Sequence, residues 1–134
     1  MEYKLGRIDD VISVSHLKVD DFDTWGIDYT LCPIILPLLK QLKTTKQGSP
    51  YVDVDDVPEE LRPTEPSIDC GGADNTHHAR WGWVMDEMIW AFEEMNSMCY
   101  DDNHVFDYIE DRTLERRIDR GTLLFGKYFR NLWD

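Results

Sequence analysis

A mainly α-helical fold is what this sequence predicts: three main helices, the first kinked or split at prolines, preceded by a short N-terminal strand or arm. Three observations predict it. Trp81, Val84, Met85, Met88, Phe92 and Met95 recur at helical spacing, the mark of one buried helix face. Leu114, Ile118, Gly121, Phe125, Tyr128 and Leu132 alternate in steps of four and three, the seam spacing of packed helices. A third apolar segment opens after Asp20-Asp21-Phe22-Asp23-Thr24, a helix-start signal with Asp23 or Thr24 as the cap.

In chain order, Val11 to Val19 carries β-branched residues at roughly alternate positions, which fits a short strand or an extended arm within residues 1–20. The first helix is expected from about Trp25 to Thr45. Pro33 and Pro37, one turn apart, each remove a backbone donor, freeing the carbonyls of Tyr29 and Pro33 on one face. Gly48-Ser49-Pro50 ends that helix. Residues 51–73 read as a long surface loop, with Pro58-Glu59-Glu60-Leu61 forming one helical turn inside it. The second helix is expected from near Asp74-Asn75 to about Met98, and the third from near Arg112-Thr113 to the end. Gly121 and Gly126 inside a helix cost stability relative to Ala, so close helix contact is expected at both.

With 134 residues, 42% hydrophobic and 31% charged, the chain has globular composition and the length of one domain, 1–134. Its formal charge of −13 repels phosphate backbones and anionic membrane surfaces, so generic nucleic-acid binding and membrane attachment are not expected. The start, Met1-Glu2-Tyr3-Lys4, lacks the pattern of a signal peptide. Cys32, Cys70 and Cys99 are odd in number and widely spaced, which points to a reducing cytoplasm rather than a disulfide framework.

The charge is unevenly placed. From Trp81 to Asp111 there are nine acids and no Lys or Arg, whereas from Arg112 onward six bases face three acids. Antiparallel packing of the second and third helices would neutralise part of both.

Trp83, Glu87, Trp90 and Glu94 follow i, i+4, i+7, i+11. As a surface they would make a protein-binding face, since Trp anchors dominate interface energetics. As a buried face their glutamates would pair with Arg112, Arg116 or Arg120, or form a self-association interface. A homodimer is therefore one expected partnership. Arg112, Arg116 and Arg120 would alternatively hold the phosphate of a nucleotide whose base stacks on the indoles. The acids Asp86, Glu87, Glu93 and Glu94 suggest Mg²⁺ for the hydrolytic version of that reading, although the spacing differs from known helical pyrophosphatases. Asp74, His77, His78 and His104 are weak metal-ligand candidates, adjacent histidines on a helix pointing in different directions. Cys99 near His104 lacks any orienting third group, and no catalytic residue is assigned.

Several stretches together resemble a family of uncharacterised small proteins of tailed bacteriophages. They are Asp23-Thr24-Trp25 through Pro50, Val57-Pro58-Glu59-Glu60-Leu61, Arg80-Trp81 through Glu93, and Leu124 through Asp134. The resemblance covers most of the chain after Asp20 and implies phage origin and work in the host cytoplasm. It carries no activity. The expected function is non-enzymatic binding of a host protein, inhibiting a host or anti-phage defence factor. A nucleotide-binding protein that sequesters or hydrolyses its ligand is the first alternative, and a minor virion or assembly component the second.

Overall fold

A computed structural model describes residues 2–8, 11–65, 73–98 and 108–133. The order is a β-hairpin (β1, Glu2–Ile8; β2, Val11–Lys18), a 3₁₀ turn (Asp21–Thr24), helix α1 (Ile27–Thr45), two 3₁₀ turns (Val54–Asp56, Glu59–Leu61), helix α2 (His77–Met98) and helix α3 (Tyr108–Tyr128), closed by a last 3₁₀ turn (Phe129–Asn131). The fold is mainly helical with three helices, as expected. The expected strand is present as β2. It pairs antiparallel with β1, and the register shifts at Lys4/Leu5, where the ladder is irregular.

Entry into α1 is a two-step start. Asp20 accepts from the Phe22 amide and Asp23 returns a bond to the Asp20 amide, a reciprocal cap on the 3₁₀ turn. The Thr30 hydroxyl then donates to the Asp23 carbonyl at 2.7 Å, fixing the turn against the first coil of α1. The helix therefore begins at Ile27, with Gly26 rather than Asp23 or Thr24 at its cap position.

Pro33 and Pro37 both lie inside α1, which continues through them as one element rather than two. Both are exposed, so the carbonyls they leave without an i+4 donor, Tyr29 and Pro33, can be served by solvent. The opposite face carries Cys32, Ile35, Leu36, Leu39 and Leu42 into the core.

α2 is the central layer. Trp81, Val84, Met85, Met88, Ala91 and Phe92 are buried along it, and it packs against both α1 and α3. The ion pairs Lys43–Asp86 and Lys40–Glu93 run in opposite senses along α1 and α2. So do Trp90–Arg117 and Trp83–Arg120 along α2 and α3. Both pairs of neighbours are antiparallel. An acidic helix is thus held between lysines on one side and arginines on the other.

α3 starts a turn earlier than the sequence suggested. Thr113 lies inside it: its hydroxyl donates back to the Ile109 carbonyl, four residues upstream within the helix. Ile118, Gly121, Leu124 and Tyr128 of α3 are buried. A Cβ on Gly121 would fall 2.4 Å from the Ala91 Cβ and 2.6 Å from the Glu87 carbonyl oxygen. Close contact therefore explains Gly121. It does not explain Gly126, whose Cβ would meet nothing within 4 Å.

The described part of the 51–73 loop is strapped to the helices rather than loose on the surface. Val52 and Val57 are buried in the core. The helical turn expected at Pro58–Leu61 is a 3₁₀ turn, Glu59–Leu61, with Pro58 at its cap position.

Candidate functional site

Of the quartet Trp83, Glu87, Trp90 and Glu94, the first three sit where α2 meets α3. Glu87 is 6% exposed and accepts from Arg117 (3.0 and 3.3 Å) and Arg120 (2.7 Å). Burial by itself would push the Glu87 carboxyl up, but the hydrogen bonds and charges of the two guanidiniums outweigh it and leave it lowered. The same guanidiniums cover the indoles: Arg117 lies 3.9 Å over the Trp90 ring and Arg120 5.3 Å over Trp83. Trp83, Trp90 and Glu94 are half-buried.

Of the arginines expected opposite Glu87, only Arg120 reaches it, and Arg117 is the second partner. Arg112 and Arg116 are exposed. A signal for Arg117 was present. Arg117 and Arg120 flank the seam positions Ile118 and Gly121, so both must border whatever Gly121 touches. A base stacking on Trp83 or Trp90 would have to displace a guanidinium already bound to Glu87.

The acids proposed for Mg²⁺ are divided between two helix contacts. Asp86 and Glu93 face Lys43 and Lys40 of α1, while Glu87 faces α3. Among the described residues, no three His, Cys, Asp or Glu side chains converge as a metal site.

Asp74, His77 and His78 are structural joints. Asp74 takes Arg80 on both oxygens (2.7 and 3.0 Å) and also accepts from the Thr76 amide. The Arg80 bonds hold its carboxyl at about 2, against the opposing effect of burial. His77 meets the Ser49 carbonyl through Nε2 and His78 meets the Ser49 hydroxyl through Nδ1. His104 lies outside the described residues, as do Cys70 and Cys99.

Arg80, missed by the sequence reading, is the hub of this end. It is fully buried and donates to Asp74, to the Thr76 hydroxyl and, through Nε, to the Val52 carbonyl at 3.1 Å. One guanidinium therefore satisfies the start of α2 and the strapped loop together. In the very next residues of that loop, the Tyr128 hydroxyl donates to Asp56 at 2.5 Å and accepts from the Asp53 amide at 3.0 Å. Burial, then the Asp56 carboxylate, pushes Tyr128 up to about 12. Lys127 also binds Asp56 at 2.5 Å.

Large apolar side chains are exposed in several places, among them Ile109, Leu123 and Trp133, and those at the entry to α1 are gathered along one groove. Trp25 is 83% exposed, Phe22 74% and Tyr29 50%. Phe22 and Trp25 meet edge to face with centroids 5.7 Å apart. Along α1, Gly26, Tyr29, Thr30, Pro33 and Ile34 follow i, i+3, i+4, i+7, i+8, and with Phe22, Asp23 and Trp25 they line an open groove of about 770 Å³. A Cβ on Gly26 would lie 2.9 Å from the Tyr29 ring, so glycine lets that ring fold over the helix start. α1 thus has two apolar stripes, one packed on α2 and one facing outward. The sequence reading saw the prolines as a kink or a split and missed the second stripe.

No protein-family model, curated protein or solved structure matches this chain. Among the described residues, no helix is long and apolar enough to cross a membrane.

Proposed function

We propose that this chain is a non-enzymatic binding protein: a small acidic accessory protein of a tailed bacteriophage that acts in the host cytoplasm by occupying a host or anti-phage defence protein. One observation carries the reading, the division of labour among its side chains. The ionisable groups with the most chemical potential, Glu87, Asp74, Arg80, Arg117, Arg120 and Tyr128, are committed to internal joints. The largest aromatic side chain at the α1 entry, Trp25, stands in water beside Phe22. Exposed aromatic anchors are the kind of side chain that dominates protein interfaces. The surface that supports the reading is therefore the α1 groove rather than the α2–α3 contact.

The test is native mass spectrometry of the tagged chain recovered gently from phage-infected cells. A host protein in fixed stoichiometry is the expected result. A chain recovered with only a small mass that is lost on denaturation would overturn the reading in favour of a nucleotide ligand.

A further inference from the structure

Resting on that reading, we infer that the groove at the α1 entry takes a basic, donor-rich segment of the partner, with Lys or Arg side chains set beside an apolar anchor. The argument is charge complementarity built onto an apolar stripe. From Val19 to Leu39 the chain has four acids, Asp20, Asp21, Asp23 and Asp28, and no Lys or Arg. Asp20 and Asp23 are used in the cap, while Asp21 and Asp28 are exposed at the rim.

The groove offers acceptors and π faces. Phe22, Trp25 and Tyr29 present ring faces to water, where a guanidinium or ammonium gains both stacking and charge contact. Pro33 deprives the Tyr29 carbonyl of its i+4 donor, and Pro37 does the same to the carbonyl of Pro33. Two backbone carbonyls of α1 thus lack their i+4 donor. The chain itself already shows this chemistry at α2–α3, where guanidiniums sit over Trp83 and Trp90 and bind a carboxylate. Between Val19 and Leu39 the chain supplies aromatics, carboxylates and acceptors but no Lys or Arg.

The same facts select against other occupants. A second copy would bring its own Asp21 and Asp28 to the rim and a net −13 to each side, a like-charge encounter. Nucleic acid and anionic membranes are repelled for the same reason.

The test is selection of a displayed library of random 12-residue peptides on the immobilised full chain, followed by calorimetry on the enriched peptides. Enrichment of sequences combining Lys or Arg with an aliphatic or aromatic residue is expected. Their binding is expected to weaken about tenfold or more in Trp25→Ala, a change at an exposed position that leaves the fold intact by circular dichroism. Asp21→Asn/Asp28→Asn is expected to weaken it several-fold, and raising NaCl from about 50 to about 500 mM to weaken it further. Uncharged or acidic enriched peptides overturn the inference, as does a library with no binder. Basic peptides whose affinity survives Trp25→Ala also overturn it, yet leave the binding-protein reading standing, since the mass measurement tests that separately. A dimer in solution that Trp25→Ala converts to monomer assigns the groove to a second copy and overturns the basic-segment inference.

Discussion

Gly121 lies against the backbone of Glu87, close enough that a Cβ on it would sit 2.6 Å from the Glu87 carbonyl oxygen. The two helices meet there on bare backbone. The obstacle is backbone and the Ala91 Cβ rather than a side chain that could swing away, so Gly121→Ala forces α2 and α3 apart. The expected cost is about 1–3 kcal/mol, in spite of alanine's better helix propensity. Gly126→Ala, in open space on the same helix, is expected to stabilise by up to about 1 kcal/mol. Thermal melts of the two variants should therefore move in opposite directions.

Arg80 is fully buried and holds three partners at once. Arg80→Met keeps the apolar stem but leaves the Asp74 carboxylate and the Val52 carbonyl without their donor. A loss of about 3–5 kcal/mol is expected from breaking such a pair by one partner. Arg80→Lys should recover little, because an ammonium cannot span Asp74 and Val52 in the same fork. Urea unfolding of the two variants checks this.

Acid should destabilise the fold in a defined window. Asp74 titrates at about 2 in the folded chain against 3.8 ordinarily, so the unfolded chain binds its proton first as pH falls. The stability this carboxylate contributes is whole above about pH 4 and is lost progressively toward pH 2. Glu87, also lowered, adds loss in the same direction. Urea midpoints measured from neutral pH to pH 2 should show the fall, and Asp74→Asn should flatten it.

Tyr128→Phe removes the bond to Asp56 and leaves the Asp53 amide without its acceptor, at an expected cost of about 1–2 kcal/mol. The phenol's folded value of about 12 lies above the ordinary 10. The stability it lends is therefore complete below pH 10 and lost as pH rises toward 12. Ultraviolet titration should show a phenolate step near pH 12 that Tyr128→Phe removes.

The exposed pairs Lys40–Glu93 and Lys43–Asp86 are expected to matter far less. A double-mutant cycle at Lys40 and Glu93 should give a coupling under about 1 kcal/mol, falling further in salt.

The α2 stripe and the α3 seam were legible because periodicity records burial directly: Trp81, Val84, Met85 and Met88 are in the core, as are Ile118 and Tyr128. The acid–base match of α2 with α3 was legible too, since net charge is a sum and survives ignorance of geometry. Which arginine meets Glu87 was not, because the i+4 stripe of Arg112, Arg116 and Arg120 and the i+3 pair of Arg117 and Arg120 look equally regular along the chain. Only the seam decides between them. Arg80 was hidden for a different reason. Its partner Val52 belongs to a loop, and a loop's return path is not written in any period. The quartet around Glu87 admitted both an exposed binding face and a face buried against arginines, because two indoles beside two carboxylates have the composition of an interface; the α2–α3 contact, where Glu87 meets Arg117 and Arg120, is one internal to the chain.

Glu87 is shared between two arginines and backed by a glycine, which ties four positions to one another through descent. A lineage that replaced the acid at 87 would strand positive charge at both 117 and 120, while one that enlarged 121 would lose the separation that lets either arginine reach. Positions 87, 117, 120 and 121 should therefore change together or not at all. That joint constraint, rather than overall identity, is the signature by which distant kin of this chain would be recognised.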